Sequence, residues 1–550
     1  MCGIICFIQY GGQKIDLVSC LNCLDKLNNR GPDAQSYQVI ELGDITIFLG
    51  FTRLAIMDTS EAGLQPFKDN NSNYSICNGE IYNYKNLAEK FGIEMQTQCD
   101  CEILLPLFDL RGFEGLLSDL DAEFATVIVD KYNSKLYAAR DKYGVRPLYY
   151  GYNCEKGLIG FASELKALHS VMEYVEQVKP NQYVTIDLSF RPSIPFDLQN
   201  FVKLFQFTNY HEYYQSSKSL IDYHEQNIEQ LQTSINHLLT EAVRKRLYAD
   251  RPIGFLLSGG LDSSLIVAIA TRLLGPTNIV CFSVGFEGSP DVAAAREVVK
   301  FLGIKNHHIV PFSVDIGLNA INDVIKTIET YDITTIRAST PQFIMAKYIQ
   351  ENTDIRVLLS GEGSDEIHGS YKYMRSAPNS QEFHKETIRL LEELYLFDNK
   401  RTDRTMAGNG LEVRVPFLDF NYVDLIMNID PNLLMYKSDY IEKKIIRDAF
   451  KGYLPENILY RPKEAFSDAV SSKEINWYRS IQKITEEIYT DEKLQNSNYK
   501  FNKPEIKEAL YYRDIFNSHY GGRDHIIPHY WLPRFQQNNV LDPSATILPI

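Results

Sequence analysis

The sequence predicts two domains of different class: an α+β domain over residues 2–190, then an α/β parallel-sheet domain over 221–550 with a helical C-terminal part. Three observations predict this. At 550 residues the chain exceeds what one hydrophobic core normally holds. Its first third is a succession of short β-branched and aromatic runs. Beyond residue 252 such runs alternate with helical ones, the pattern of a parallel sheet.

In the first domain "MCGIICF" reads as an opening strand, and "DITIFLGFTRLAIM", "EFATVIVD", "KLYAARD", "LIGFAS" and "QYVTIDL" as further strands between Gly, Asn and Asp. Helices are expected around "DLVSCLNCLDKLNN" and "CEILLPLFDL". Residues 191–220 open with two prolines, show no clean period and read as a linker. A helix follows, because Ile228, Leu231, Ile235, Leu238, Leu239 and Val243 keep helical spacing. "PIGFLLSGGLDSSLIVAIATRLL" then reads as strand, turn and helix; "NIVCFSVGF" is a strand before the helical "DVAAAREVVKFLG"; "IRVLLSGEGSDEI" repeats strand-then-loop. The last stretch is mostly helical.

Acidic residues outnumber basic ones, 71 to 56, for a formal charge of −15, which argues against a nucleic-acid surface. No apolar run reaches membrane length, and the first residues lack a charged-then-apolar leader. Nine cysteines are too few, and odd in number, for a disulfide framework, so a reducing, cytosolic setting is expected. Cys20 and Cys23, and Cys99 and Cys101, lack a second pair at zinc-site spacing and read as structural thiols.

The most informative stretch is "LLSGGLDSS". A buried strand enters Ser258, Gly259 and Gly260, which lack bulk where backbone must approach a ligand, and Ser263 and Ser264 open a helix. Amides and hydroxyls at a helix start suit a pyrophosphate. Asp262 makes sense as a Mg²⁺ ligand, since that ion favours one or two carboxylates with phosphate oxygens. "LLSGEGSDE" repeats the arrangement with Ser360, Gly361 and Asp365, so two loops could face one crevice. No lysine follows the glycines, which excludes the common phosphate loop.

Ser258 to Ser264 resembles the pyrophosphate loop of ATP pyrophosphatases. With "SVGFEGSPDVAAAREVVKFLG", "YDITTIRASTPQF", "GLEVRVPFLD" and "RPKEAFSDAV", nearly the whole chain resembles the glutamine-hydrolysing asparagine synthetases. That resemblance implies an N-terminal-nucleophile glutaminase of layered antiparallel sheets, followed by an adenylate-forming ATP pyrophosphatase domain. "CGI" puts Cys2 at the nucleophile position, with its own α-amine as base once Met1 is removed. "RGPD", "TRLAIMD", "NGEIYNY" and "CDCE" follow in order. They imply that Asn78 and the Gly79 amide hold the oxyanion. Glutamine would be held by Arg53, Leu54, Ala55, Ile56, Met57, Glu80 and Asp100, with Arg53 on its carboxylate and Asp100 on its ammonium. Alone, Cys2 is a small buried thiol and "NGE" an Asn-Gly turn. Two departures stand out: Cys99 where a small serine-like residue is usual, and "KPNQYVTID" without its Pro-Gly.

The resemblance further implies that ATP and aspartate form a β-aspartyl-adenylate, which ammonia carried inside the protein converts to asparagine and AMP. Leu257 and Val284 would seat adenine, Glu362 would support the intermediate or deprotonate the amine, and Lys463 or Arg337 would stabilise phosphate charge. The expected partners are L-glutamine, L-aspartate and ATP with Mg²⁺; no nucleic acid or membrane is expected, and a homodimer stays open. Three other readings are weighed. A β-lactam-forming synthetase on the same scaffold lacks the N-terminal cysteine; an amidotransferase with a phosphoribosyl or sugar-phosphate partner domain lacks "SGGLDSS"; a non-catalytic regulator has no need of Cys2, Arg53, Asp262 and Asp365 together.

Overall fold

The computed structural model describes residues 1–192, 194–195, 204–211, 227–436, 441–462, 470–471, 475–536 and 540–544. Most of the expected linker, and Lys463, lie outside the described residues. The chain divides into two compact units, one of Met1–Glu212 with Ala407–Glu412, the other of Tyr213–Met406 with Val413–Ile550. The short return of 407–412 to the first unit was not foreseen by a contiguous partition.

Among the described residues the first unit holds twelve strands. They are β1 (Gly3–Gln9), β2 (Ala34–Leu42), β3 (Ile45–Arg53), β4 (Phe67–Lys68), β5 (Tyr74–Ile81) and β6 (Ala122–Asp130). There follow β7 (Lys135–Arg140), β8 (Tyr149–Asn153), β9 (Leu158–Ala162), β10 (Tyr174–Gln177), β11 (Gln182–Asp187) and β12 (Gln206–Asn209). Two antiparallel six-stranded sheets result, ordered β10-β8-β9-β1-β3-β2 and β12-β11-β7-β6-β5-β4. Period-two alternation builds the layer between them. Ile4, Cys6 and Ile8 of β1 and Ile47 and Leu49 of β3 share one buried cluster with Ile76, Val127, Val129 and Ala138 of the facing sheet. Cys6 is thus a core residue.

Each sheet carries a helix on its outer face. Leu24, in the helix Leu17–Asp25, would meet any side chain grown on Gly50 of β3. On the other sheet, Phe108 and Phe113 of the helix Leu104–Asp119 pack on Tyr137 and Tyr183. The four layers are helix, sheet, sheet, helix.

Two local findings correct or explain the sequence. Asn78 and Gly79 are not a turn: they sit mid-strand in β5, opposite Ala125 and Phe124 of β6. And Asn181, where the resembled family has Gly, is left-handed at φ 60. Asn is the non-glycine residue that tolerates this region best, so the departure leaves the turn intact.

The second unit is built on a five-stranded sheet ordered β15-β14-β13-β16-β17. Its strands are β13 (Ile253–Leu256), β14 (Val280–Gly285), β15 (Asn306–Pro311), β16 (Val357–Leu359) and β17 (Glu412–Arg414). The first four in that order run parallel. Short, continuously apolar strands suit a sheet covered on both faces by helices. The helices Leu261–Leu274 and Ile333–Asn352 are buried along most of their length. No described helix is long and apolar enough to cross a membrane.

Gly31 fixes the entry to "RGPD": a Cβ there would lie 2.3 Å from the Thr52 carbonyl and 2.4 Å from the Arg53 amide. Both are backbone, so neither can swing away. Gly31→Ala should therefore destabilise the first unit by about 1–3 kcal/mol, seen as faster amide exchange along β3 while exchange along β13 is unchanged.

Candidate active sites

Cys2 enters β1, and its Sγ faces the Leu54 carbonyl at 3.7 Å, just past the end of β3. Burial pushes this thiol up to about 11. The chain's α-amine, here on Met1, is pulled down to about 6 by burial, against the pull of Glu412 at 3.8 Å. The Met1 amine is thus mostly unprotonated at neutral pH. Arg30 of "RGPD" holds the strand entry, its Nε donating to the Cys2 carbonyl at 2.8 Å while Nη1 pairs with Glu164 at 2.7 Å.

The most informative side chain is Asn78. It is fully buried, and neither its Oδ1 nor its Nδ2 has a hydrogen-bond partner among the described residues. A buried amide left unpaired costs roughly 1–3 kcal/mol, and such groups survive where a ligand completes them. Gly79 beside it admits no side chain, since a Cβ would lie 2.4 Å from the Glu123 carbonyl. β1 and β5 are in contact, and the Cys2 thiol acts electrostatically on Cys77, the residue before Asn78.

Arg53 is buried, its two terminal nitrogens donating to the Ser60 carbonyl at 2.5 Å and to the Asp58 carbonyl. Leu54, Ala55, Ile56 and Met57 follow it, all buried. Asp100 is buried too, and its Oδ2 accepts the Ile81 amide at 2.6 Å at the end of β5. Glu80 is buried on the same strand. Sequence reasoning missed Asp58, which joins the two loops: it closes the Arg53 turn and takes the Gln98 amide on Oδ2 at 3.0 Å. Burial pushes its carboxyl up, but hydrogen bonds from Ser60 and Gln98 hold it below the usual range. Its left-handed φ of 54 was the only local sign, and it is not visible in a sequence.

In the second unit the two glycine loops leave neighbouring strands, β13 and β16, at their carboxyl ends. They touch: a Cβ on Gly361 would lie 2.7 Å from the Ser263 amide. Ser364 Oγ donates to Asp262 Oδ1 at 2.8 Å. Leu257, Ser258, Gly260, Asp262, Ser263, Val284, Ser360, Gly361, Glu362 and Asp365 all line one cleft. Gly259 and Ser264 stand behind it, Gly259 shaping the turn and Ser264 buried in the helix.

The cleft's centre is a cation the sequence did not reveal. Lys443 Nζ lies 2.7 and 2.8 Å from the two oxygens of Asp262 and 2.7 Å from Asp365 Oδ1. It reaches them from a left-handed backbone, φ 58, at the start of a short helix. Glu362 is gripped by Arg401 through two bonds of 3.0 and 2.8 Å. Arg337 is not in the cleft lining: its guanidinium is taken by Glu508 at 2.5 Å and Asp542 at 2.9 Å. Arg461, Arg447 and Arg401 line the cleft instead.

Gly259 has φ 79, and a Cβ there would meet the Ala295 amide at 2.5 Å and the Asp291 carbonyl at 2.7 Å. Gly259→Ala should cost about 1–3 kcal/mol in the second unit, seen as faster amide exchange along β13 while exchange along β3 is unchanged.

Residues 1–224 match the family described as a glutamine amidotransferase domain, and residues 234–382 and 375–526 the family described as asparagine synthase. The chain is 99% identical over 550 residues to a protein of Acanthamoeba polyphaga mimivirus named probable asparagine synthetase (glutamine-hydrolyzing), with 100% of both chains covered. It is 40% identical over 566 residues to the asparagine synthetases (glutamine-hydrolyzing) of Rattus norvegicus and Homo sapiens, covering 100% of this chain and 98% of each of those. The chain belongs to the asparagine synthase family, with a glutamine amidotransferase domain ahead of the synthase domain.

Proposed function

We propose that the chain makes asparagine and glutamate from aspartate, glutamine, ATP and water, releasing AMP and pyrophosphate, in a cytosolic setting. The observation that carries this reading is the buried, unpartnered Asn78 side chain on a chain that also converges Asp262 and Asp365 in a glycine-walled cleft. The first is what an oxyanion site needs, the second what a nucleotide site needs.

In the first unit, Met1 is removed and the Cys2 amine accepts the thiol proton as Sγ attacks the glutamine carboxamide. Asn78 Nδ2 and the Gly79 amide receive the developing oxyanion. Arg53 and the buried segment Leu54 to Met57 hold the substrate's carboxylate end, and Asp100 with Glu80 holds its ammonium. Water then releases glutamate, and the ammonia set free is the nucleophile for the second unit.

There, Ser258, Gly260, Ser263, Ser360 and Gly361 line the polyphosphate, and Leu257 and Val284 the adenine. The donor set fits Mg²⁺: two carboxylates from separate loops already converge on one cation, the Lys443 ammonium, so Asp262 and Asp365 are the groups to hold it. When bound, the metal would neutralise charge on the leaving pyrophosphate. Lys443 and Arg461 supply fixed positive charge beside it. The aspartate β-carboxylate attacks the α-phosphorus, pyrophosphate leaves, and ammonia displaces AMP from the adenylate. Glu362, oriented by Arg401, takes the proton lost by the incoming amine or supports the adenylate itself. Arg337 is given no part, since Glu508 and Asp542 occupy it.

The test is pyrophosphate release with ATP, Mg²⁺ and ammonia across a panel of acidic acceptors; a response to aspartate no greater than to glutamate overturns the reading. Asn78→Ala should lower glutamine-dependent kcat by about 10²–10³ and leave ammonia-dependent synthesis untouched. Glu362→Ala should remove pyrophosphate release with either nitrogen source while glutamine hydrolysis continues; normal release would strip Glu362 of its role.

A further inference from the structure

Behind the nucleotide cleft stands a histidine that no step above uses. His368 follows the short helix Ser364–Ile367, which leaves the second glycine loop. His368, Ser364 and Tyr422 are all buried. His368 Nδ1 lies 2.6 Å from the Ser364 carbonyl and 3.2 Å from Ser364 Oγ, and its Nε2 lies 3.2 Å from Tyr422 Oη. Ser364 Oγ in turn lies 2.8 Å from Asp262 Oδ1. One line of hydrogen bonds therefore runs from Tyr422 to a carboxylate of the cleft.

The partners set the direction of every proton in that line. A carbonyl oxygen only accepts, so Nδ1 carries the imidazole proton. Ser364 Oγ then has no acceptor on the ring and gives its own proton to Asp262. Burial, with the Lys443 charge adding to it, pulls His368 down to about 3, so the ring is neutral and Nε2 is bare. Nε2 accepts from the Tyr422 hydroxyl. Every group donates toward Asp262, and bonds in such a chain polarise one another.

Tyr422 gives the line a fixed origin. It sits on the helix Phe420–Met427, whose N-cap Asp419 accepts the Asn421 amide and pairs with Arg246 at 3.0 Å. Phe417 packs edge-on against the His368 and Tyr422 rings, with centroids 6.1 and 5.8 Å away. The second carboxylate of the cleft has a serine donor too, Ser370 Oγ at 2.5 Å from Asp365 Oδ1. Carboxylates that bind metals are braced in this way, and losing a brace costs roughly 10–100-fold in metal affinity.

We propose that His368 and Tyr422 are positioning residues for the metal–nucleotide site: through Ser364 they fix the Asp262 carboxylate in the orientation that takes Mg²⁺ with ATP. This rests on the reading above of Asp262 as a metal ligand. With an apolar side chain at 368, the Ser364 hydroxyl is free to turn about its Cβ–Oγ bond and Asp262 loses a fixed donor.

ATP binding to the full chain is measured by equilibrium dialysis without aspartate, once with Mn²⁺ standing in for Mg²⁺ and once in EDTA. The gain in ATP affinity that Mn²⁺ brings should fall by on the order of tenfold in Ser364→Ala and in His368→Leu, with affinity in EDTA unchanged. His368→Asn, whose amide nitrogen can donate where Nδ1 did, should regain it. Tyr422→Phe, which removes only a hydroxyl, should lose part of it, and with Ser364→Ala decides the matter if His368→Leu does not fold. Equal losses with and without Mn²⁺ mean a structural role only and overturn the proposal. So does an unaltered gain in Ser364→Ala and His368→Leu when Asp262→Asn has lost it. A gain unaltered in Asp262→Asn as well overturns the reading of Asp262 as a metal ligand, and the proposal with it.

Discussion

Two carboxylates on separate loops share a small space only when a cation stands between them. Unit charges about 4 Å apart repel by roughly 4 kcal/mol at the effective dielectric of a protein surface. In the second unit that repulsion is answered by one ammonium, Lys443, which touches Asp262 and Asp365 together. The arrangement explains why the glycines fall where they do. Loops pulled onto a common charge must press against each other and against the helices behind, and Gly259 and Gly361 are the points with no space for a Cβ. It also explains the strained backbone at Lys443: a left-handed residue costs about 1–2 kcal/mol, which a buried bridge to two carboxylates offsets.

The first unit solves the opposite problem. It leaves Asn78 polar and without a partner among the described residues, inside a tightly packed β-sandwich. That is tolerable because the surroundings are fully committed: Arg53 is held by carbonyls of its own turn, Asp58 binds the next loop, and Arg30 is locked to Glu164. Rigidity around one unsatisfied amide lets it receive a charge without reorganisation, the condition under which an oxyanion donor is worth most.

Much of this was legible in the chain. Local composition marked the strands of the first unit, and the repeated strand-then-loop marked both halves of the cleft, because such patterns and glycine placement are local properties. The layering of the strands into two antiparallel sheets was expected only from the resemblance. What stayed hidden was non-local or conformational. Lys443 sits in "YIEKKIIRDAF", where nothing separates it from its neighbour Lys444; only the turn at φ 58 aims it inward. Arg337 sits in a segment shared with the family, yet its pairing with Glu508 and Asp542 depends on a helix and a tail far along the chain. Asn78-Gly79 read as a turn because the dipeptide prefers one, and pairing with β6 overrode that preference.

The return of residues 407–412 to the first unit bears on how the chain is made. Glu412 is the acid 3.8 Å from the chain's α-amine, so a glutaminase pocket assembled from residues 1–212 lacks one of its charges. At a synthesis rate of about 5–20 residues per second, that group emerges on the order of 10–40 s after the sandwich has left the ribosome. The Cys2 thiol, which the Glu412 charge also pushes upward, therefore sits in a different field early in the life of each molecule, and the first unit reaches its final electrostatics only when most of the second has been translated.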